Sequence, residues 1–217
     1  MRAVQMLRHL VLYRGRFAVL LLVYHGCLIS VRQPSTLVTM NDPLRSILVG
    51  TLALTVAGIF ALVLTYYRIP VTIGRDKLQR TNALVIACLT FQGAHFVEEY
   101  ATRFYERFPS LLGLQPWSAT FFVAFNVFWL IIWVVAAFGL RSGARVAFFP
   151  LWFLAIAMIA NGIAHPMLAV RVGGYFPGLI SAPVVGIAGV VLWKHLMALT
   201  QRAGRSRMRP SSASELR

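Results

Sequence analysis

Residues 118–140 read SATFFVAFNVFWLIIWVVAAFGL, twenty-three consecutive positions without a charged side chain. An α-helix rises 1.5 Å per residue, so about 20 such residues cross the ~30 Å hydrocarbon core of a bilayer. No soluble domain of this size hides so long an apolar rod and keeps enough polar surface to dissolve. Apolar stretches recur at 147–170 and 178–199 toward the C-terminus, and at 82–105 and 44–67 toward the N-terminus. A shorter one, 17–31, lies between Arg16 and Arg32. The reading is an all-α, polytopic membrane helix bundle of about six transmembrane helices, residues 1–201, followed by a basic disordered tail at 202–217. The stretch 17–31 has fifteen residues, fewer than a crossing needs. Arg2, Arg8, Arg14 and Arg16 before it resemble the basic start of a signal peptide, but VRQPS after Ser30 supplies no small-x-small cleavage site. It is read as a retained helix.

Composition agrees. Apolar residues make up 59% of the 217 and charged residues 12%, with a mean hydropathy of +0.72; soluble domains average about 45–50% and about 25%. The net charge of +15 would suggest nucleic acid in a soluble chain. Here the basic residues sit in short loops and tails, with no basic groove interleaved with aromatics, so nucleic acid is not expected as a partner. Fifteen of them fall at 2–16, 68–80, 141–145 and 202–217, against five in the alternate loops. By the positive-inside rule both termini are cytoplasmic, which requires an even number of crossings. The expected location is the inner (plasma) membrane of a bacterium, with the lipid bilayer as partner. Cys27 and Cys88 lie inside apolar runs and make no disulfide or zinc-finger spacing.

Only six acidic residues occur in the chain. Glu98 and Glu99 end the apolar run ALVIACLTFQGAHFVEEY, three and four positions after His95. Positions i, i+3 and i+4 share one helix face. Ionisable groups at such depth cost about 2.5–3.5 kcal/mol each on insertion scales, so they persist when paired, metal-bound or used. A second cluster, Asn161 and His165 in AMIANGIAHPMLAV, is spaced i, i+4. Because both helices run in the same direction, His95 and the Asn161–His165 pair fall at similar depth in the outer leaflet. Asn126 and His25 belong to the same half.

These elements, HFVEEY, then NGIAHPML, then GGYFPG, resemble the HXXEE family of membrane proteins, named for its His-x-x-Glu-Glu element. His95, Glu98 and Glu99 match that element, and Asn161, His165, Tyr175, Pro177 and Gly178 the later ones. The resemblance implies an active or metal site at these positions and names no substrate.

Plainer readings stand beside these. Glu99 and Arg103 are spaced for a helix-end ion pair. His165 could satisfy a carbonyl freed by Pro166. His25 and Asn126 fit interhelical hydrogen bonding. GGYFPG reads as a turn, or as a rim carrying Tyr175. Cys88 is two turns below His95, about 10 Å away, too far to share one metal with it.

The leading functional reading is a membrane-embedded enzyme acting on an apolar or lipid-like substrate. One version binds a divalent metal (Zn, Fe or Mn) through His95, His165 and Glu98 or Glu99. The other is metal-free, with Glu98 and Glu99 as acid and base and His95, Asn161 and Tyr175 around the substrate. A proton-coupled transporter and a structural or accessory subunit are the alternatives from other classes.

Overall fold

The computed structural model describes residues 43–70 and 74–202. The stretch 17–31, His25 and the tail from 203 onward lie outside the described residues. The chain divides between Arg45 and Ser46, and every element from Leu52 onward belongs to the second part.

Seven α-helices are described. They are α1 (Pro43–Gly50), α2 (Leu52–Tyr67), α3 (Arg75–Ala101), α4 (Phe104–Leu111), α5 (Ala119–Arg141), α6 (Phe148–Val172) and α7 (Ala182–Leu199). Among the described residues, three spans are long and apolar enough to cross a membrane: α5, α6 with its 3₁₀ lead-in (Arg145–Val172), and α7, with mean hydropathies of 2.4, 2.0 and 1.6. The pair α1 and α2, bent by 46° at its break, makes a fourth if it counts as one span. The chain therefore has the helices of a membrane protein. Helix α3 has 27 residues but is not among these spans, because Asn82, Gln92, His95, Glu98 and Glu99 lower its hydropathy.

The expected stretches and the observed helices nearly coincide at 118–140 and 147–170. The stretch 82–105 does not stay continuous. Helix α3 ends at Ala101, Arg103 takes a left-handed φ of 58°, and the chain restarts as α4. A short antiparallel ladder pairs β1 (Arg68–Pro70) with β2 (Thr200–Arg202). Arg202, expected to open the tail, is thus the end of a strand. Arg68 reinforces the ladder, donating from Nε to Thr200 Oγ1 at 2.8 Å and from Nη2 to the Thr200 carbonyl at 2.6 Å.

Helix α6 is the core helix. Leu151, Trp152, Leu154 and Met158 are fully buried, and α2, α5 and α7 all pack on it. Its closest seam, with α7, is made of small residues. A Cβ on Gly162 would lie 2.5 Å from Gly186 Cα, and one on Gly189 would lie 2.8 Å from Met158 Cβ. Without hydrophobic driving force inside a bilayer, such close backbone packing is what holds helices together. Helix α3 packs on the other neighbours, α5 and α7. The loop that leads into α7 therefore lies where α3 and α6 both reach it.

Candidate metal centre

Along α3 the buried residues are Thr81, Asn82, Val85, Cys88, Gln92, His95 and Glu99. From Val85 they follow an alternating three- and four-residue step, the stripe of one helix face. Glu99 continues that stripe inward and Glu98 does not. His165 enters from α6, 2% exposed, beside His95 at 0% and Glu99 at 5%.

Glu99 Oε1 lies 3.5 Å from His95 Nε2 and 3.3 Å from His165 Nε2. The two imidazole rings are perpendicular, with centroids 4.8 Å apart. One ligand atom from each of the three residues lies within 4.8 Å of the others, so the group could hold a metal ion. Ligand atoms held ~2.05 Å from a tetrahedral zinc lie ~3.3 Å from each other. The two edges from Glu99 are close to that value, and the third lies within 4.8 Å.

The far side of each ring fixes its proton. His165 Nδ1 bonds the Pro177 carbonyl, which can only accept, so Nδ1 carries the hydrogen. His95 Nδ1 is 2.7 Å from Ser181 Oγ. The single Ser181 hydroxyl proton goes to Glu98 Oε2, so Ser181 accepts from His95 and Nδ1 is protonated there too. In the neutral form of each ring the lone pair is then on Nε2, turned toward a carboxylate oxygen. His95 Nε2 is buried without a hydrogen-bond partner among the described residues. Lone pairs that face each other in a buried site repel unless a proton or a metal cation lies between them. A histidine that donates its remaining N–H to a carbonyl or a carboxylate-held group is the usual setting of a metal ligand.

Glu98 is spent elsewhere. Its Oε1 accepts from the Tyr175 hydroxyl at 2.7 Å and from the Ile180 amide at 3.0 Å. Its Oε2 accepts from the Ser181 amide at 2.8 Å and from the Ser181 hydroxyl. Its partners and those of Glu99 do not overlap. Glu98 ties α3 to the loop 173–181 and, through Ser181, orients His95. Tyr175 is that loop's hydroxyl donor, and it lies in the group around Glu98 and not beside the histidines.

Gly178 is where this loop touches the histidines. Its φ is +83°, and a Cβ there would lie 2.6 Å from His165 Nδ1 and 2.9 Å from His95 Cε1. Only glycine combines that backbone with that approach. The outer wall is aromatic: Phe104 of α4 has its ring 5.5 Å from that of His165, and buried Phe176 is at 6.3 Å.

The remaining candidates fall apart from this group. Arg103 faces Glu106 at 3.7 Å on the exposed side, so it is not the partner of Glu99. His165 bonds the loop carbonyl of Pro177 and not one of its own helix freed by Pro166. Asn161, one turn before His165, is half-buried and not among the three ligand residues. Asn126 donates to the Phe122 carbonyl of its own helix at 2.9 Å, an intrahelical bond in place of the expected interhelical one. Cys88 is a buried free thiol. One residue that carries the site, Ser181, was not among the sequence candidates, and Pro177, named only through the resemblance, contributes its carbonyl. A serine before Ala-Pro at a helix start is a visible N-cap signal, but its side chain makes no cap bond and serves His95 and Glu98.

No family model, curated protein or solved structure matches the chain.

Proposed function

We propose that this chain is a multi-pass membrane protein whose His95, Glu99 and His165 bind one divalent metal ion, as the centre of a membrane-embedded enzyme for an apolar or lipid-like substrate. The observation that carries the proposal is the orientation of both imidazoles. Each has its Nδ1 proton taken by an acceptor behind it, and each directs Nε2 at Glu99 Oε1. Two neutral nitrogens and one carboxylate oxygen suit Zn, Fe or Mn. Three protein ligands leave a position open for water or substrate, and a metal there would lower the pKa of a bound water toward neutrality. Glu98, Ser181 and Tyr175 are positioning residues for His95, and Asn161 stands close enough in sequence to face the same space. The aromatic wall of Phe104 and Phe176 favours an apolar substrate.

The wider setting belongs to the same proposal: six crossings, both termini cytoplasmic, in a bacterial plasma membrane, and kinship with the HXXEE membrane proteins. A second reading, proton-coupled transport, is favoured by one observation. Tyr175, Glu98, Ser181, His95, Glu99 and His165 form a continuous polar chain from a partly exposed phenol to a buried carboxylate, and such chains relay protons in transporters. Metal analysis of the detergent-purified protein separates the two. About one equivalent of Zn, Fe or Mn, lost in His95→Ala, supports the metal centre. Metal-free protein that acidifies proteoliposomes under a substrate gradient supports the relay.

A further inference from the structure

The seam between α3 and α5 opens at the end of the bundle where α3 begins and α5 finishes. There Arg75, Leu78, Gln79, Asn82 and Arg141 line a cavity of about 550 Å³. A second cavity of about 450 Å³ shares Asn82 and Arg141 with it and continues between the helices, walled by Ile86, Leu89, Gly93, Leu130, Val134 and Phe138. Beyond Arg141 no charged residue lines this second cavity.

The charged mouth is built. Asn82 is 4% exposed. With its amide nitrogen donating to the Ala137 carbonyl at 2.7 Å, its oxygen accepts from Arg141 Nε and Nη2 at 3.0 and 3.1 Å. The guanidinium also lies over the Phe138 ring, 5.7 Å from its centroid. A neutral amide and a ring thus hold Arg141 in place without neutralising it. Among the described residues, neither Arg141 nor Arg75 forms an ion pair with a carboxylate. Two guanidiniums at one mouth with no internal counter-charge are matched to a phosphate.

The apolar part fits a chain. From Asn82 to Ala94 the groove follows α3 for about 18 Å at 1.5 Å per residue, a little over half of the ~30 Å core. Gly93 leaves it open, since a Cβ there would meet nothing within 4 Å.

We infer that this groove binds an anionic phospholipid, its phosphate between Arg75 and Arg141 and one acyl chain along the α3–α5 seam. Basic pockets between transmembrane helices are the known setting for such headgroups. The site is separate from the histidine–glutamate group and does not depend on it.

Native mass spectrometry of the full-length protein in detergent, titrated with phosphatidylglycerol or phosphatidylcholine, tests this. The wild type should retain phosphatidylglycerol about tenfold more strongly. The double variant Arg75→Gln/Arg141→Gln should lose that preference, and Arg75→Lys/Arg141→Lys should keep part of it. Gly93→Leu places a side chain in the groove at a position where a Cβ meets nothing within 4 Å and should reduce retention of both lipids, with inorganic phosphate unable to compete in the wild type. Equal retention of the two lipids by the wild type would overturn the inference. So would a preference that survives the double glutamine variant, or retention unchanged by Gly93→Leu.

Discussion

Glu99 Oε1 sits between two histidine nitrogens, 3.5 Å from His95 Nε2 on its own helix and 3.3 Å from His165 Nε2 on another. Its chain neighbour Glu98 turns away and is held by four donors of the loop before α7. Adjacent carboxylates on one helix thereby have two different tasks, one inside the site and one behind it.

The division of labour has a direct consequence for metal binding. Glu98→Gln removes the charge that orients Ser181 and, through it, His95. Loss of such an outer partner lowers metal affinity by about 10–100-fold. Ser181→Ala should fall in the same range, and Glu99→Gln should lose the ion altogether. Titration with a competing chelator measures all three; equal affinities in Glu98→Gln and Glu99→Gln would refute the assignment.

Gly178→Ala should damage the site more than its size suggests. An L-residue at φ +83° costs about 1–2 kcal/mol from the left-handed backbone alone, and here the added methyl also meets both imidazoles. Gly113 is the control, with φ +69° and open space around it. Both variants should melt lower in detergent, with the larger loss in Gly178→Ala. Only that variant should lose metal.

The Tyr175 phenol is held above its ordinary 10.0, first by burial and then by its hydrogen bond to the Glu98 carboxylate. A raised value in the folded state means that the fold favours the protonated form. Its contribution is therefore full below the unfolded value and fades as pH rises through the folded one. The melting difference between wild type and Tyr175→Phe should be flat from roughly pH 7 to 9 and shrink above about 10. A difference that grows with pH would show that the phenol does not donate to Glu98.

Orientation is tested at the chain ends. Reporter fusions at residue 1 and after Arg217 should both report from the cytoplasm, as the bias of basic residues requires. An external N-terminus with a cytoplasmic C-terminus would mean that 17–31 does not cross.

Much of this arrangement was legible in the sequence. Hydropathy alone placed α5 and α6 to within two residues, because long uncharged runs admit one periodicity. The break at Thr102 and Arg103 was not legible, since neither glycine nor proline stands there and the left-handed Arg103 has no sequence mark. Spacing put His95, Glu98 and Glu99 on one face. The step Val85, Cys88, Gln92, His95, Glu99 would have separated Glu99 from Glu98, had the stripe been followed past the histidine. Ser181 and the Pro177 carbonyl depend on the path of a nine-residue loop with positive φ at Gly173 and Gly178, and residue type does not encode where a carbonyl points.

The metal centre stands or falls on the melting temperature of the purified protein with and without chelator. A metal that binds only the folded site adds stability by mass action, so chelation should lower the melting temperature of the wild type and of Arg103→Ala. It should leave Glu99→Gln and His165→Ala unchanged, since each has already lost a ligand. A wild-type protein that contains no metal and melts at the same temperature in chelator would show that His95, Glu99 and His165 hold no ion.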